Sequence, residues 1–155
     1  MNLSLRDTLY LSTEEIDNSA IKRFTNNALD NASEGFWNSP CSSSGKNHPP
    51  EDQGEGGIVR HILKGVYMVP QWSRFFEASE KKKDIALSAW ILHDINKNGE
   101  PWTKKTNYEH GLITYNWLEQ FELEEPYKQN IRNCVRYHMG QWVQPESEVK
   151  RAKNP

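Results

Sequence analysis

Four histidines and one aspartate in this chain are of types that ligate metal ions. His93 and Asp94 stand side by side in "ILHDINKNG", at the end of an apolar run. His61, His110 and His138 each fall on the apolar side of a separate amphipathic segment. A lone histidine in such a place is usually a core residue hydrogen-bonded to backbone. Four of them on inward faces, with an acid beside one, pose a harder problem. Each unpaired polar group in a small core costs about 1–3 kcal/mol. A shared cation removes that cost, because neutral imidazole and carboxylate are both metal ligands. The pattern therefore predicts a shared divalent metal ion held between helices. Imidazole and carboxylate suit Mn, Fe, Zn or Ni better than Mg, which prefers oxygen.

The helices that must carry these residues are legible as apolar periodicity. "LSTEEIDNSAIKRFTNNAL", residues 11–29, reads as one helix capped by Ser12 or Thr13, with Glu14 and Glu15 in its first turn. Ile16, Ala20, Ile21 and Phe24 form its stripe. "GGIVRHILKGVYMV" places Ile58, Ile62, Val66 and Val69 at helical spacing, with His61 on the same face. "QWSRFF" follows as a connector or helical turn. "SEKKKDIALSAWILHDI" is a stronger helix, capped by Ser79, with Ile85, Ala89, Trp90, Leu92 and His93 inside. The Asn98-Gly99 pair and Pro101 end it in a turn-rich loop. "NYEHGLITYNWLEQFEL" sets His110, Ile113, Trp117 and Phe121 near one face. In "EEPYKQNIRNCVRYHMGQW" the residues Ile131, Cys134, Val135 and His138 face inward. Few segments alternate as strands do, so the expected fold is all-α. Between the first two helices lies a long Ser/Gly/Pro-rich loop, residues 38–57. A loop of that length in a small domain is functional or mobile.

Composition sets the bounds. The chain has 155 residues, enough for one domain and one core. Hydrophobic residues make up 35% and mean hydropathy is −0.88, so the core is modest and the six tryptophans supply much of it. A net charge of −2 argues against holding nucleic acid by bulk positive charge. No apolar run approaches the roughly 20 residues of a membrane span. The first residues do not read as a secretion signal. Cys41 and Cys134 therefore read as reduced thiols of a cytoplasmic protein.

The ordered motifs resemble a known family. His61, then His93-Asp94, then His110, then His138, at intervals of 32, 16 and 28 residues, is similar to the HD superfamily of metal-dependent phosphohydrolases. "GEGGIVRH" resembles the two glycines, two apolar residues and histidine that open that domain. "AWILHDINK" is similar to its "LLHDIGK" signature, and "YEHG" and "YHMGQW" resemble its later histidine steps. The resemblance covers about residues 48–142. It is nearest to the HD domains of bacterial 3′-to-5′ exoribonucleases and to small phage or bacterial HD proteins. It implies a compact HD-type helical bundle over residues 1–155, with the metal site between helices. Two departures stand out. Tyr137 precedes His138 where the family often has paired histidines. No aspartate follows His138, where the family usually has one on a further helix, so the domain is expected to lack that helix. Glu146 or Glu148 are weak substitutes.

Carried over residue by residue, the resemblance implies that His61, His93 and Asp94 bind a first ion, with Asp94 able to bridge two. His110 and His138 belong to a second site or to substrate phosphate. Lys97 stabilises the phosphate or the attacking hydroxide. The implied reaction is hydrolysis of a phosphate ester or anhydride of a nucleotide by a metal-activated hydroxide. Arg60 and Lys64 are candidate phosphate partners. In the loop, "SSSGKNHPP" offers Lys46 and His48 to a phosphate or sugar, but it lacks the spacing of a P-loop. Cys41 with His48 hints weakly at a small metal site; a free loop thiol is the plainer expectation. Trp37, Trp72, Trp102 and Trp142 are available to stack a base or to lid the core. Two other readings stay open: an exonuclease acting on an RNA 3′ end, and an HD module that binds metal, nucleotide or a partner protein without turnover. Self-association is left open.

Overall fold

The computed structural model describes residues 3–45 and 48–140. Among these the chain is all-helical, with no strand. Seven α-helices follow one another: α1 (Leu5–Ser12), α2 (Ser19–Asp30), α3 (Glu34–Asn38), α4 (Gly57–Phe75), α5 (Glu80–Leu92), α6 (His110–Trp117) and α7 (Tyr127–Tyr137). Helix α5 is the centre. It packs against α2, α4 and α7, while α6 lies on α7, and α1 and α3 lie on α4. Its buried residues Ile85, Leu87, Ser88, Ala89, Ile91 and Leu92 run almost round its circumference, as a surrounded helix requires. None of the described helices is long and apolar enough to cross a membrane.

The helix expected over residues 11–29 is two helices with a break. Ser4 opens α1 through a capping box: its hydroxyl accepts from Asp7 N, and the Asp7 carboxylate accepts from Ser4 N. A 3₁₀ turn at Thr13–Glu15 follows. Asn18, rather than Ser12 or Thr13, then caps α2, its Oδ1 accepting from Ala20 N at 2.9 Å and Ile21 N at 3.0 Å. The break is fixed from outside. Buried Asp84 on α5 accepts from the backbone N–H groups of Asp17 (3.2 Å) and Asn18 (2.8 Å), which a continuous helix would have spent internally. Ile16 and Ile21 are buried on either side of it.

Three other boundaries move. Helix α4 continues through Pro70 to Phe75, so most of "QWSRFF" is helix; Pro70 only forgoes its own N–H bond to the preceding turn. Helix α6 stops at Trp117, and a 3₁₀ turn covers Leu118–Gln120. On α7 the inward residues are Ile131, Arg132 and Val135, while Cys134 is exposed. Arg132 wins that place because its guanidinium lies 3.9 Å over the Tyr115 ring, donates from Nε to Tyr115 O at 2.8 Å and pairs with Glu119. Its alkyl stem covers apolar surface as an aliphatic residue would.

One close approach governs the site. Trp90 Nε1–H donates to Ile62 O at 2.8 Å, and the indole lies against α4 at Gly65, where an added Cβ would sit 1.8 Å from the ring. This contact sets the distance between α4 and α5, and so between the His61 and His93 rings, whose centroids are 5.5 Å apart. Replacing Gly65 with alanine must push the indole or the helix away. We expect Gly65→Ala to lower unfolding free energy by about 1–3 kcal/mol. An unchanged urea midpoint would mean that Trp90 moves aside freely.

Candidate metal centre

The segment "HDINKNG" is buried, not a solvent loop. His93 closes α5, and the chain then turns through tight bonds: Ile95 N–H to Leu92 O (3.1 Å), Lys97 N–H to Asp94 O (3.0 Å) and Gly99 N–H to Asn96 O (2.8 Å). Gly99, at φ 98°, supplies the left-handed backbone that ends the run. The side chains of Asp94, Asn96, Lys97 and Asn98 are thereby held inside.

Around Asp94 the structure gathers the histidines expected from the sequence. His61 comes from the second turn of α4, His93 from the end of α5, His110 from the start of α6 and His138 from the end of α7. Ligand atoms of His61, His93 and Asp94 all lie within 4.8 Å of one another, as do those of Asp94, His110 and His138. His110 Nε2 is 3.1 Å and His138 Nε2 is 3.8 Å from Asp94 Oδ1; His93 Nε2 is 3.4 Å from Oδ2.

Proton placement gives this cluster its meaning. In His93, His110 and His138 the Nδ1 atom lies 2.6 Å from a backbone carbonyl, of Trp90, Asn107 and Val135 in turn. A carbonyl only accepts, so each Nδ1 carries the hydrogen and donates it. Each ring therefore turns its Nε2 toward the Asp94 carboxylate. His110 Nε2 and His138 Nε2 face one another at 3.0 Å. Asp94 Oδ1 is buried and has no hydrogen-bond partner among the described residues. Lone pairs and a carboxylate oxygen aimed at one point repel each other unless a cation lies among them. Fixing of Nδ1–H by a carbonyl is also how ligating histidines are commonly oriented. The residues fit a divalent ion, and the set Asp94, His110 and His138 is the better prepared of the two.

The charges agree. Burial pushes the Asp94 carboxyl upward, but the attraction of His93 and Lys97 outweighs it and holds the group well below the usual carboxylate range. Burial, followed by repulsion from His93, pushes His61 and His138 down to about 4, so both rings stay neutral and able to ligate.

Lys97 lies within the cluster. It is buried, and its Nζ donates to Asp94 Oδ2 at 2.7 Å. One carboxylate oxygen thus takes the ammonium and leaves the other to His110 and His138. Arg60 and Lys64 lie elsewhere. The Arg60 guanidinium donates to Glu51 O (2.7 Å) and Glu55 O (2.6 Å), and Lys64 Nζ pairs with Asp52 at 2.9 Å and Glu51 at 3.0 Å. Both are spent on folding the loop before α4. Lys46, Trp142, Glu146 and Glu148 lie outside the described residues. Trp37 is core, Trp72 is exposed on α4, and Trp102 packs on Gly35.

Two neighbours carried little sequence signal. Cys41 is fully buried rather than a loose loop thiol, with Sγ 3.2 Å from His48 Nδ1; the His48 ring meets His61 edge-on. Beside them is a shallow depression of about 330 Å³ lined by Ser39, Pro40, Ser43, Asn98, Trp102, Thr103 and Lys104. Its walls are chain neighbours of Cys41 and Lys97. Of its lining, Trp102 and, within "SSSGKNHPP", Ser43 stood out in the sequence.

The metal-free chain has a predictable acid response. His61 and His138 titrate near 4 when folded and near their ordinary 6.5 when unfolded. The unfolded chain therefore binds more protons between those values. Stability is fully present above about pH 6.5 and falls as pH drops toward 4, with Asp94 adding a further loss below that window. Urea midpoints of chelator-stripped protein across this range check it; a flat profile would mean that these rings are charged in the fold.

No family model, curated protein or solved structure matches this chain.

Proposed function

We propose that this protein is a metal-dependent phosphohydrolase of HD type, cleaving a phosphate ester or anhydride of a nucleotide. The observation that carries the reading is the convergence of imidazole lone pairs on Asp94, whose Oδ1 is buried without a hydrogen bond. His61, His93, Asp94, His110 and His138 are the residues that would hold one or two divalent ions, with Mn, Fe, Zn and Ni suited to these donors. A bound ion supplies Lewis acidity, neutralising phosphate oxygens and acidifying water. The chain's own residues do the rest. Trp90, Asn107 and Val135 carbonyls hold the imidazoles in their ligating tautomer. Asp94 stays ionised. Lys97, buried beside it, is the positive group available to a phosphate oxygen. The depression beside Cys41 and Lys97 offers Lys104, Ser43 and the Trp102 ring to the rest of a nucleotide.

A second reading, metal binding without turnover, is favoured by the partners of Arg60 and Lys64. Both cations expected at substrate phosphate are engaged by the loop, leaving Lys97 as the cation inside the cluster. Nucleotide turnover separates the two readings.

Protein purified without chelator should carry about one or two divalent transition ions per chain and hydrolyse at least one member of a nucleotide and phosphodiester panel. Asp94→Ala should lose both, because it removes the anionic ligand. Full metal occupancy in Asp94→Ala would sink the site; metal without turnover across the panel would favour the second reading. Lys97→Ala should keep its metal and lose roughly 10²–10³-fold in turnover, the scale for one preorganised electrostatic partner. Unchanged turnover would remove Lys97 from the reacting phosphate.

A further inference from the structure

Beside the Asp94 cluster, and sharing His61 with its His61, His93 and Asp94 set, lies a further group of ligand-type residues. Cys41 Sγ, His48 and His61 offer ligand atoms that all lie within 4.8 Å of one another. Cys41 Sγ is 3.2 Å from His48 Nδ1 and 3.7 Å from Nε2, and the His48 and His61 ring centroids are 5.3 Å apart. We propose that these three residues form a separate site for a thiophilic divalent cation, zinc above all.

Three observations carry it. First, the sulfur is placed inside the protein by backbone bonds, not by chance collapse of a loop. Cys41 N–H donates to Asp52 O at 2.8 Å, Ile58 N–H to Ser39 O at 3.2 Å and Gly56 N–H to Asn38 O at 3.1 Å. The loop lies so close to the start of α4 that a Cβ on Gly57 would be 1.9 Å from Asp52 O and 2.7 Å from Cys41 N. The salt bridge from Lys64 to Asp52 secures the far side. His48 is tied in turn, its carbonyl accepting from Gln53 Nε2 at 3.1 Å. Such fixing lowers the cost of assembling ligands around an ion.

Second, the ligand sets need not compete. Asp94, His110 and His138 are a complete set of three without His61. An ion there and another at Cys41, His48 and His61 share no ligand atom, with His93 standing between them.

Third, the donor chemistry differs. The Asp94 set is imidazole and carboxylate, open to Mn or Fe. A thiolate with two imidazoles selects softer ions such as Zn²⁺ or Co²⁺ over Mg²⁺ and Mn²⁺. Three protein ligands leave a fourth position of a tetrahedral ion for water. Burial pushes the Cys41 thiol up to about 11, and Lys97 Nζ, 3.9 Å from the sulfur, offsets that only in part, so the anionic form depends on the ion itself. The simpler alternative is a thiol hydrogen-bonded to His48 with no ion, and it makes a different prediction.

Full-length protein, reduced and stripped with chelator, is titrated with Co²⁺ and followed by absorption. The expected result is a near-ultraviolet thiolate-to-cobalt charge-transfer band that Zn²⁺ abolishes. Cys41→Ser should lose it completely, while Cys134→Ser and Asp94→Asn keep it. Cobalt bound with no such band, or a band that survives Cys41→Ser, overturns the proposal. Loss of the band in Asp94→Asn also overturns it, because the sulfur would then belong to the Asp94 centre. If circular dichroism shows that Cys41→Ser is unfolded, His48→Gln decides. It should weaken Zn²⁺ binding about tenfold or more, and unchanged affinity overturns the site. A band in Asp94→Asn together with undiminished total metal would leave this site standing and remove the phosphohydrolase reading alone.

Discussion

A buried carboxylate is the constraint around which the rest of this molecule is arranged. Asp94 is 1% exposed, and an ion so placed is costly unless it is paired and hydrogen-bonded. The fold answers on one side only. Lys97 takes Oδ2, and Oδ1 is surrounded by imidazole nitrogens. Those imidazoles do two jobs. His93 closes α5 and His138 closes α7, and each donates Nδ1–H to a carbonyl in the last turn of its own helix. Last-turn carbonyls have no partner within the helix. One hydrogen bond thus satisfies the helix end and turns Nε2 toward Asp94. Two helix C-termini with their partial negative charge meet there, which favours a cation again.

The distance across the cluster is a backbone property. The indole of Trp90 lies on Gly65 and touches the rings of both His61 and His93, so α4 and α5 cannot separate without disturbing the ligands. The loop before α4 is built the same way. Arg60 and Lys64 hold its carbonyls and carboxylates, and in doing so they fix where Cys41 and His48 stand. Arg60 and Lys64, two of the cations expected at phosphate, are thus scaffold, while another, Lys97, is at the centre.

What was legible in the sequence follows physical lines. Apolar periodicity gave the all-helical class, the Ser79 cap of α5 and the inward faces of His61, His93, His110 and His138, because a helix of period 3.6 must show its buried side. The break at residues 16–18 was not legible, since Asp84 creates it from 66 residues away. Nor was the α7 face, where a ring stack hides Arg132 and leaves Cys134 outside. Cys41 and His48 sit in a stretch rich in Ser, Gly and Pro, where no periodicity marks an inside. Their meeting depends on backbone bonds to Asp52 and Ser39 that composition does not encode. Lys97 was named by the family resemblance alone; periodicity could not show its burial, because Asn96 to Gly99 read as a turn, and turns are usually wet.

Charge explains why such a site would select an anion. The chain as a whole is acidic, at −2. Inside the cluster, Asp94 and Lys97 cancel, and the histidines are ligands without charge when neutral. A divalent ion held by Asp94, His110 and His138 therefore brings its charge essentially unbalanced into a buried place. A thiolate at Cys41 offsets only part of a second ion's charge. Low local polarity strengthens the resulting field. A phosphate oxygen supplies the missing negative charge where an uncharged ester cannot. On the phosphohydrolase reading proposed above, that imbalance, rather than any basic surface, is what would favour a phosphorylated substrate.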